Sequence, residues 1–386
     1  MKIGDLDGLN YDTLRDLARR RLPRGIFEYI DRGSEDEVGL AHIRQTFDEI
    51  KLRPKVLVDV ASRDQAIELL GRRYSLPLVV APTAAAGLLW HKGEIRLARA
   101  AAKAGIPFCA ATESIAAVEE IAAEAKGDIW FQLYFWRDRS LSYGLIDRAK
   151  GAGIDTLVVT VDAIVSPKRE YNARNGYDVP LRPSMRGAWD VATHPRWFAQ
   201  VLLRYVLSEG MPTHGNYPAG HRTRITRGKK ADALRMDPSL NWSDMAELRR
   251  YWRGKLVIKG ILSADDAMKA AALGIDAIVV SNHGGRDLDS AVTPAEVLPE
   301  IAERVAGRLV LMADSGVRRG SDVVKLLALG ASAVLVGRAF LYGTAVAGEA
   351  GAAGAIAMLG DEIDRTMALL GCASIAAIGP HLIRTR

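Results

Sequence analysis

Residues 281–289 read SNHGGRDLD and directly follow the apolar run AIVV at 277–280. An imidazole titrates near neutrality and can accept a proton, and a guanidinium can grip a carboxylate or phosphate through two parallel hydrogen bonds. A histidine after a strand can equally be a satisfied structural residue or a metal ligand. A metal site would need further histidines or clustered acids at ligand spacing. His91, His194, His214 and His221 lie in other segments without such spacing, so no metal is expected. The two glycines give backbone clearance beside a ligand.

Other short apolar runs also end in polar groups. LPLVVAP (76–82) leads into Pro82, Thr83 and Ala84, small residues that let a flat ligand approach the backbone. IWFQLY (129–134) carries Gln132 and Tyr134, and DTLVVTVDA (155–163) carries Thr160 and Asp162. KLVIKG (255–260) carries Lys259, and DAIVVSN (276–282) runs into Ser281, His283 and Arg286. RLVLMAD (308–314) ends at Asp314 before SGVRRGS, and SAVLVG (332–337) ends at Gly337 before Arg338. Apolar strands whose polar residues gather at one end describe a site.

The elements that must hold these groups form a series. With IPFCA (106–110) there are eight apolar runs, separated mostly by helical stretches such as GEIRLARAAAKAG (93–105) and GSDVVKLLALG (320–330). Several of these helices close on glycine, in KAG, GAG and twice ALG, which suits a left-handed cap. Apolar strands alternating with helices predict parallel strands buried on both faces. Eight repeats predict a (β/α)8 TIM barrel, with a doubly wound open sheet as the competing arrangement. The spacing breaks once, after the fourth run, where about a hundred residues intervene. The expectation is one barrel domain over 1–386, a helical lead-in before residue 76, and an insertion at about 171–240.

The loops after the last two strands often hold phosphate in such barrels. Gly316, Gly320 and Arg318 in ADSGVRRGSD, and Gly337 and Arg338 in VGRAF, offer close backbone approach and a guanidinium. The second pair opens a helix whose N-terminus favours an anion.

Composition narrows the class. The 386 residues are 49% hydrophobic and 25% charged, ordinary for a soluble globular protein. No apolar stretch reaches the roughly 20 residues that span a bilayer. The first residues contain acids and no apolar core like that of a signal peptide, so a cytoplasmic location is expected. The two cysteines, Cys109 and Cys372, sit among apolar residues and are expected to be buried thiols. Of the net charge of +6, residues 178–240 hold ten Lys and Arg against five Asp and Glu. A basic patch can attract nucleic acid, lipid or an anionic substrate, or be a solvated loop. HRTRITRGKK (221–230) has no interleaved aromatic residue, which disfavours nucleic-acid binding.

SNHGGRDLD, ADSGVRRGSDVVKLLALGA and LVGRAFLYG resemble the FMN-dependent α-hydroxy-acid oxidase and dehydrogenase family, nearest to its (S)-mandelate dehydrogenase branch. LPRGIFEYIDRGSED, APTA, WFQLY, TVDA, VIKG and DRTMALLGCASI extend the likeness over almost the whole chain, and it thins between Pro180 and Trp242. The resemblance implies FMN-dependent oxidation of an (S)-2-hydroxy acid, mandelate- or lactate-like, to the 2-keto acid. His283 would be the base and flavin N5 the electron acceptor, with oxygen, a quinone or a carrier protein as re-oxidant. It implies that Asp162 pairs with His283. Arg286, Arg169 and Tyr29 would bind the substrate carboxylate, and Tyr134 would lie near the substrate hydroxyl. Lys259 would stand beside the reduced flavin. Pro82, Thr83, Ala84, Gln132, Thr160, Ser281, Asp314, Arg318, Gly337 and Arg338 would contact FMN. The family tends toward homotetramers. A related α-amino acid or modified peptide end is the alternative substrate.

Two departures stand out. Ala111, in FCAATESIAAVEE, replaces a hydroxyl residue that faces the flavin in the family, and Glu113 falls where pocket residues are apolar or aromatic. A carboxylate there points either to solvent or into the pocket, where it would favour a substrate with a compensating donor. The insertion segment HPRWFAQVLLRYVLSEGMP predicts an amphipathic helix with Trp197, Phe198, Leu202 and Val206 on one side. Beside the basic stretch it fits either a membrane-surface segment, which the resemblance implies, or a lid or subunit contact over the barrel mouth.

Overall fold

The computed structural model describes residues 10–175, 185–222, 224–225 and 231–384, with nothing assigned to the side chain of Arg186. Residues 176–184 of the expected insertion, and 223 and 226–230 of its basic stretch, lie outside the described residues.

Eight parallel strands close into a barrel in sequence order. They are β1 (Leu78–Val80), β2 (Phe108–Ala111), β3 (Ile129–Leu133), β4 (Thr156–Thr160), β5 (Lys255–Ile261), β6 (Ala277–Val280), β7 (Val310–Ala313) and β8 (Ala333–Val336). Val334 of β8 pairs with Leu78 of β1 and closes the ring. The open-sheet alternative is thereby excluded. Helices return the chain between strands, among them Gly93–Lys103, Arg139–Gly151, Ala264–Ala272, Pro294–Val305 and Gly320–Ala328. The glycines that end these stretches, Gly105, Gly153, Gly274 and Gly330, all have positive φ as the sequence predicts.

The strands are apolar throughout because both faces are covered. Val79, Cys109, Trp130, Val158, Val257, Val279, Met312 and Leu335 pack together inside the barrel. Their neighbours Val80, Phe108, Phe131, Val159, Ile258, Val280 and Val336 pack outward on the helices. Side chains alternate with period two, so one step from an interior residue reaches the helix layer and two steps reach the next interior layer.

The lead-in before residue 76 is only partly helical. Helices Tyr11–Arg21, Arg24–Asp31 and Val38–Glu49 are followed by an antiparallel hairpin, Ile67–Leu69 with Arg72–Tyr74. Leu70 and Gly71 both have positive φ, as a tight hairpin turn requires. Ile67, Leu69 and Tyr74 join the barrel-interior cluster and plug its N-terminal end.

The insertion lies between β4 and β5. A continuous helical stretch runs from Pro195 to Ser208, with a π-helical segment at Phe198–Leu202. Its inner face is Trp197, Val201 and Tyr205, all buried, while Phe198 and Val206 are exposed. The predicted grouping of Trp197, Phe198, Leu202 and Val206 on one side is therefore corrected. Apolar residues surround this helix, and packing selected the face that includes Tyr205. Trp197 Nε1 donates to the carbonyl of Leu88 at 2.8 Å, and the Tyr205 hydroxyl accepts from the Lys92 main-chain N–H at 2.9 Å. Cys109 and Cys372 are buried free thiols, as expected.

Candidate active site at the barrel mouth

Two residues beyond each barrel-interior residue stand Ala81, Ala111, Gln132, Thr160, Lys259, Ser281, Asp314 and Gly337. The period-two rule points these eight inward at the C-terminal ends of the strands. Six of them, Ala81, Ala111, Gln132, Lys259, Asp314 and Gly337, line the floor of a cavity of about 1430 Å3. Pro82, Thr83 and Ala84 line it from the first loop; Tyr134, Arg169, His283 and Arg286 line it from others. Gly316, Arg318 and Arg338 line one end, and Tyr29 enters from the helical lead-in. Thr160, Ser281 and Asp162 stand behind this wall. Gly320 does not face the cavity: a Cβ there would lie 2.4 Å from the Ile363 nitrogen, so that glycine allows two helices to pack.

His283 sits on a sharp turn. His283, Gly284 and Gly285 all have positive φ, a strained conformation for a histidine and one that persists at functional sites. The turn is held by the His283 N–H on Ser281 Oγ and the Gly284 N–H on Ser315 Oγ, both at 3.0 Å. His283 Nδ1 is 3.0 Å from Asp162 Oδ1, and Nε2 is 3.4 Å from the Tyr134 hydroxyl. One ring nitrogen thus faces a carboxylate and the other faces the cavity. Burial lowers the imidazole pKa, but Asp162 and Asp287 outweigh it and the net shift is upward. Burial works the other way on Tyr134, whose charged form is the phenolate: it raises the phenol well above its ordinary value, with Asp162, Asp287 and Glu113 adding to the rise.

Lys259 Nζ donates to Ser281 Oγ at 2.8 Å and lies 3.2 Å from Asp314 Oδ2. Burial disfavours its charge, yet Asp314 and Asp162 raise its pKa overall, so it remains an ammonium. Arg286 is held by the Arg32 carbonyl at 2.8 Å, with its guanidinium 5.4 Å from the centre of the Tyr29 ring. Arg338 donates to the carbonyls of Gly284, Asp31 and Arg32 and so clasps the lead-in to the mouth.

Glu113 faces the cavity rather than solvent. Its Oε2 accepts a hydrogen bond from the Tyr217 hydroxyl at 2.6 Å, and its main-chain carbonyl is 3.1 Å from His214 Nδ1. His214, Tyr217, Ile225, Arg235, Met236 and Pro238 give the insertion one wall of the cavity. None of these was singled out as a site residue in the sequence, where the segment shows no periodic pattern. Asp287 was also missed, although it stands four residues after His283; its Oδ2 is 2.9 Å from His283 Nδ1. Among the described residues, Asp162, His283 and Asp287 form the one group whose atoms lie close enough to hold a metal ion.

Two buried polar atoms at the mouth, Gln132 Nε2 and Thr160 Oγ1, have no hydrogen-bond partner among the described residues. A flat group with acceptors along its edge would complete both. At the far end, Gly337 leaves room for close approach, with the nearest side-chain atom to its would-be Cβ 3.5 Å away. The helix that begins at Arg338 directs its N-terminus there. These donors fit an isoalloxazine ring whose side chain ends in a phosphate.

Comparison with known proteins agrees with this geometry. Residues 18–385 match the FMN-dependent dehydrogenase family. The chain is 42% identical to the (S)-mandelate dehydrogenase of Pseudomonas putida, over 97% of this chain and 93% of that protein. It is 40% identical to a putative L-lactate dehydrogenase of Mycobacterium tuberculosis, over 98% and 90% of the two chains. Among solved structures, a monotopic membrane protein, (S)-mandelate dehydrogenase, superposes with a TM-score of 0.90 at 40% identity, over 98% and 100% of the two chains. A barrel whose mouth fits a flavin phosphate and whose sequence matches over nearly its full length places this chain in the FMN-dependent dehydrogenase family.

Proposed function

We propose that this protein oxidises an (S)-2-hydroxy acid of the mandelate or lactate type to the 2-keto acid. The observation that carries the reading is His283, one nitrogen against Asp162 and the other open to a cavity whose wall carries Arg169 and Arg286. Relatives in two named groups, (S)-mandelate dehydrogenase and L-lactate dehydrogenase, support the substrate class.

Bound FMN would accept the two electrons and one of the two protons that leave the substrate, and His283 would take the other proton. Gln132, Thr160, Lys259 and Ser281 would hold its ring, with Pro82, Thr83 and Ala84 beneath. Gly316, Arg318, Gly337 and Arg338 would hold its phosphate, and Asp314 fixes Lys259. Lys259, kept charged, would stabilise negative charge at the ring. Arg169, Arg286 and Tyr29 would orient the substrate carboxylate. His283 accepts a substrate proton at Nε2, Asp162 stabilises the imidazolium that results, and the un-ionised Tyr134 hydroxyl donates to the substrate oxygen. Whichever leaves first, proton or electron pair, His283 must begin neutral.

No helix among the described residues is long and apolar enough to cross a membrane. The exposed apolar residues of the insertion favour contact with a membrane surface, as the monotopic relative suggests. A homotetramer and one barrel domain with this insertion complete the proposal.

The test is an anaerobic visible spectrum of the flavin-loaded protein. (S)-Mandelate or (S)-lactate should bleach the flavin band, and the (R)-enantiomers should not. A flavin that stays oxidised with both (S)-acids would refute the substrate class.

A further inference from the structure

His283 Nδ1 carries at most one proton, yet two carboxylates converge on it. Asp162 Oδ1 lies at 3.0 Å and Asp287 Oδ2 at 2.9 Å. The directions differ: the contact with Asp162 is a hydrogen bond, whereas Asp287 Oδ2 has no hydrogen-bond partner of suitable geometry among the described residues. Asp162 therefore orients the ring, and Asp287 acts on it through charge. Asp287 does not wander there. Its main-chain carbonyl accepts from Ser34 Oγ at 2.7 Å, and the left-handed turn at 283–285 folds it back toward the imidazole. Its other oxygen, Oδ1, lies 3.7 Å from Arg169 Nη2. One carboxylate thus stands between the imidazole and the Arg169 guanidinium on the cavity wall.

We infer that Asp287 is a positioning residue for the reaction, stabilising the imidazolium form of His283 while tempering the pull of Arg169 on the substrate carboxylate. This rests on the reading of His283 as proton acceptor. The charged and titratable groups around the imidazole are Asp162, Asp287, Lys259 and Tyr134, with Arg169 and Arg286 beyond Asp287. Lys259 opposes the imidazolium, and Asp162 and Asp287 favour it. A carboxylate this close to an imidazole moves its titration by roughly one to three pH units. Asparagine at 287 keeps the shape and removes the charge. The neutral base then persists to lower pH, so the acid limb of flavin reduction moves down. The imidazolium formed in the reaction also loses support, so the plateau rate falls. Arg169, relieved of a competing carboxylate, binds an anion more tightly. A merely structural role would weaken binding and rate together, and would leave the limb in place.

The experiment is anaerobic stopped-flow reduction of the flavin-loaded Asp287→Asn enzyme by (S)-mandelate across pH, with the Kd of phenylglyoxylate read from the flavin spectrum. The expected result is an acid limb lower by about one pH unit, a plateau rate lower by roughly tenfold and a tighter Kd. Asp287→Glu, which keeps the charge, should return the limb toward wild type. Superimposable wild-type and Asn profiles would overturn the inference, as would equal shifts in the Asn and Glu variants. Asp162→Asn and His283→Gln separate the two levels. A limb that moves with Asp162→Asn but not with Asp287→Asn sinks the inference alone. Wild-type reduction by His283→Gln sinks the reading beneath it.

Discussion

Arg169 donates through Nη2 to the main-chain carbonyl of Arg286 at 2.7 Å, and through Nε to the same oxygen at 3.3 Å. Two residues 117 positions apart are thereby locked so that both guanidiniums face one cavity. Burial and the neighbouring Arg169 lower the pKa of Arg286, so an anion bound in the cavity would relieve the repulsion between the two cations. Lysine at 169 cannot fork onto the carbonyl. Arg169→Lys should weaken the hold on substrate and on the Arg286 loop, lowering kcat/KM by about 2–4 kcal/mol, roughly 30- to 1000-fold. Flavin content should stay at the wild-type level. Steady-state kinetics with (S)-lactate, beside the flavin-to-protein absorbance ratio, would check both halves. A wild-type KM would remove Arg169 from the clamp.

Gly260 makes room for Asp162. Strand β5 shifts register between Lys259 and Ile261, and Gly260 between them has φ +110°. A Cβ at this position would lie 2.6 Å from Asp162 Cγ. Gly260→Ala should strain the backbone and displace Asp162 from His283, costing about 1–3 kcal/mol of stability. Urea unfolding would report that loss, and flavin reduction should slow in the same variant. Wild-type stability together with a wild-type rate would show that β5 absorbs the methyl elsewhere.

The barrel was legible because parallel strands covered on both faces must be apolar, and their polar ends then stand out. Lys259, Ser281 and Asp314 show this directly: each follows an interior valine or methionine by two residues. Asp287 was not legible, because its approach to His283 depends on the positive φ of three successive residues, which no periodicity reports. The role of Arg338 as a clasp depends on carbonyls of Asp31 and Arg32 some three hundred residues away. The hairpin at 67–74 did leave a signal, the alternating IEL before Leu70-Gly71, which the expectation of a helical lead-in overlooks. In the insertion helix, apolar residues on every side left the buried face to be chosen by Leu88 and Lys92.

Glu113 puts a carboxylate on the cavity wall, accepting from Tyr217. A carboxylate oxygen accepts more than one hydrogen bond, so it can also receive a donor on the far end of a substrate. A phenyl ring against it costs desolvation of the charge and gains nothing polar. The 4-hydroxyphenyl analogue of (S)-mandelate should therefore outperform (S)-mandelate in kcat/KM. Glu113→Leu should reverse that order, with a swing of about 1–3 kcal/mol, roughly 5- to 150-fold. An unchanged ratio between the two substrates would show that Glu113 serves the insertion wall alone.

The insertion presents Met185, Trp189, Phe198, Leu203, Val206 and Leu207 to solvent, with Trp189 at 74% and Leu207 at 78% exposure. Arg196 and Arg204 are exposed on the same segment. Apolar side chains interleaved with arginines suit an anionic bilayer surface, where the rings enter the headgroup boundary and the cations meet phosphates. The wild-type protein should sediment with vesicles containing phosphatidylglycerol and bind less as salt rises, because the cationic share is screened. Trp189→Ser combined with Leu207→Ser removes two inserted side chains at about 1.5 kcal/mol or more each, and should weaken partitioning roughly a hundredfold. Flavin reduction in solution should be untouched, since neither residue lines the cavity. A wild-type protein that stays in the supernatant at low salt would assign this face to another subunit or to solvent. A double variant that sediments like wild type would place the contact elsewhere on the chain.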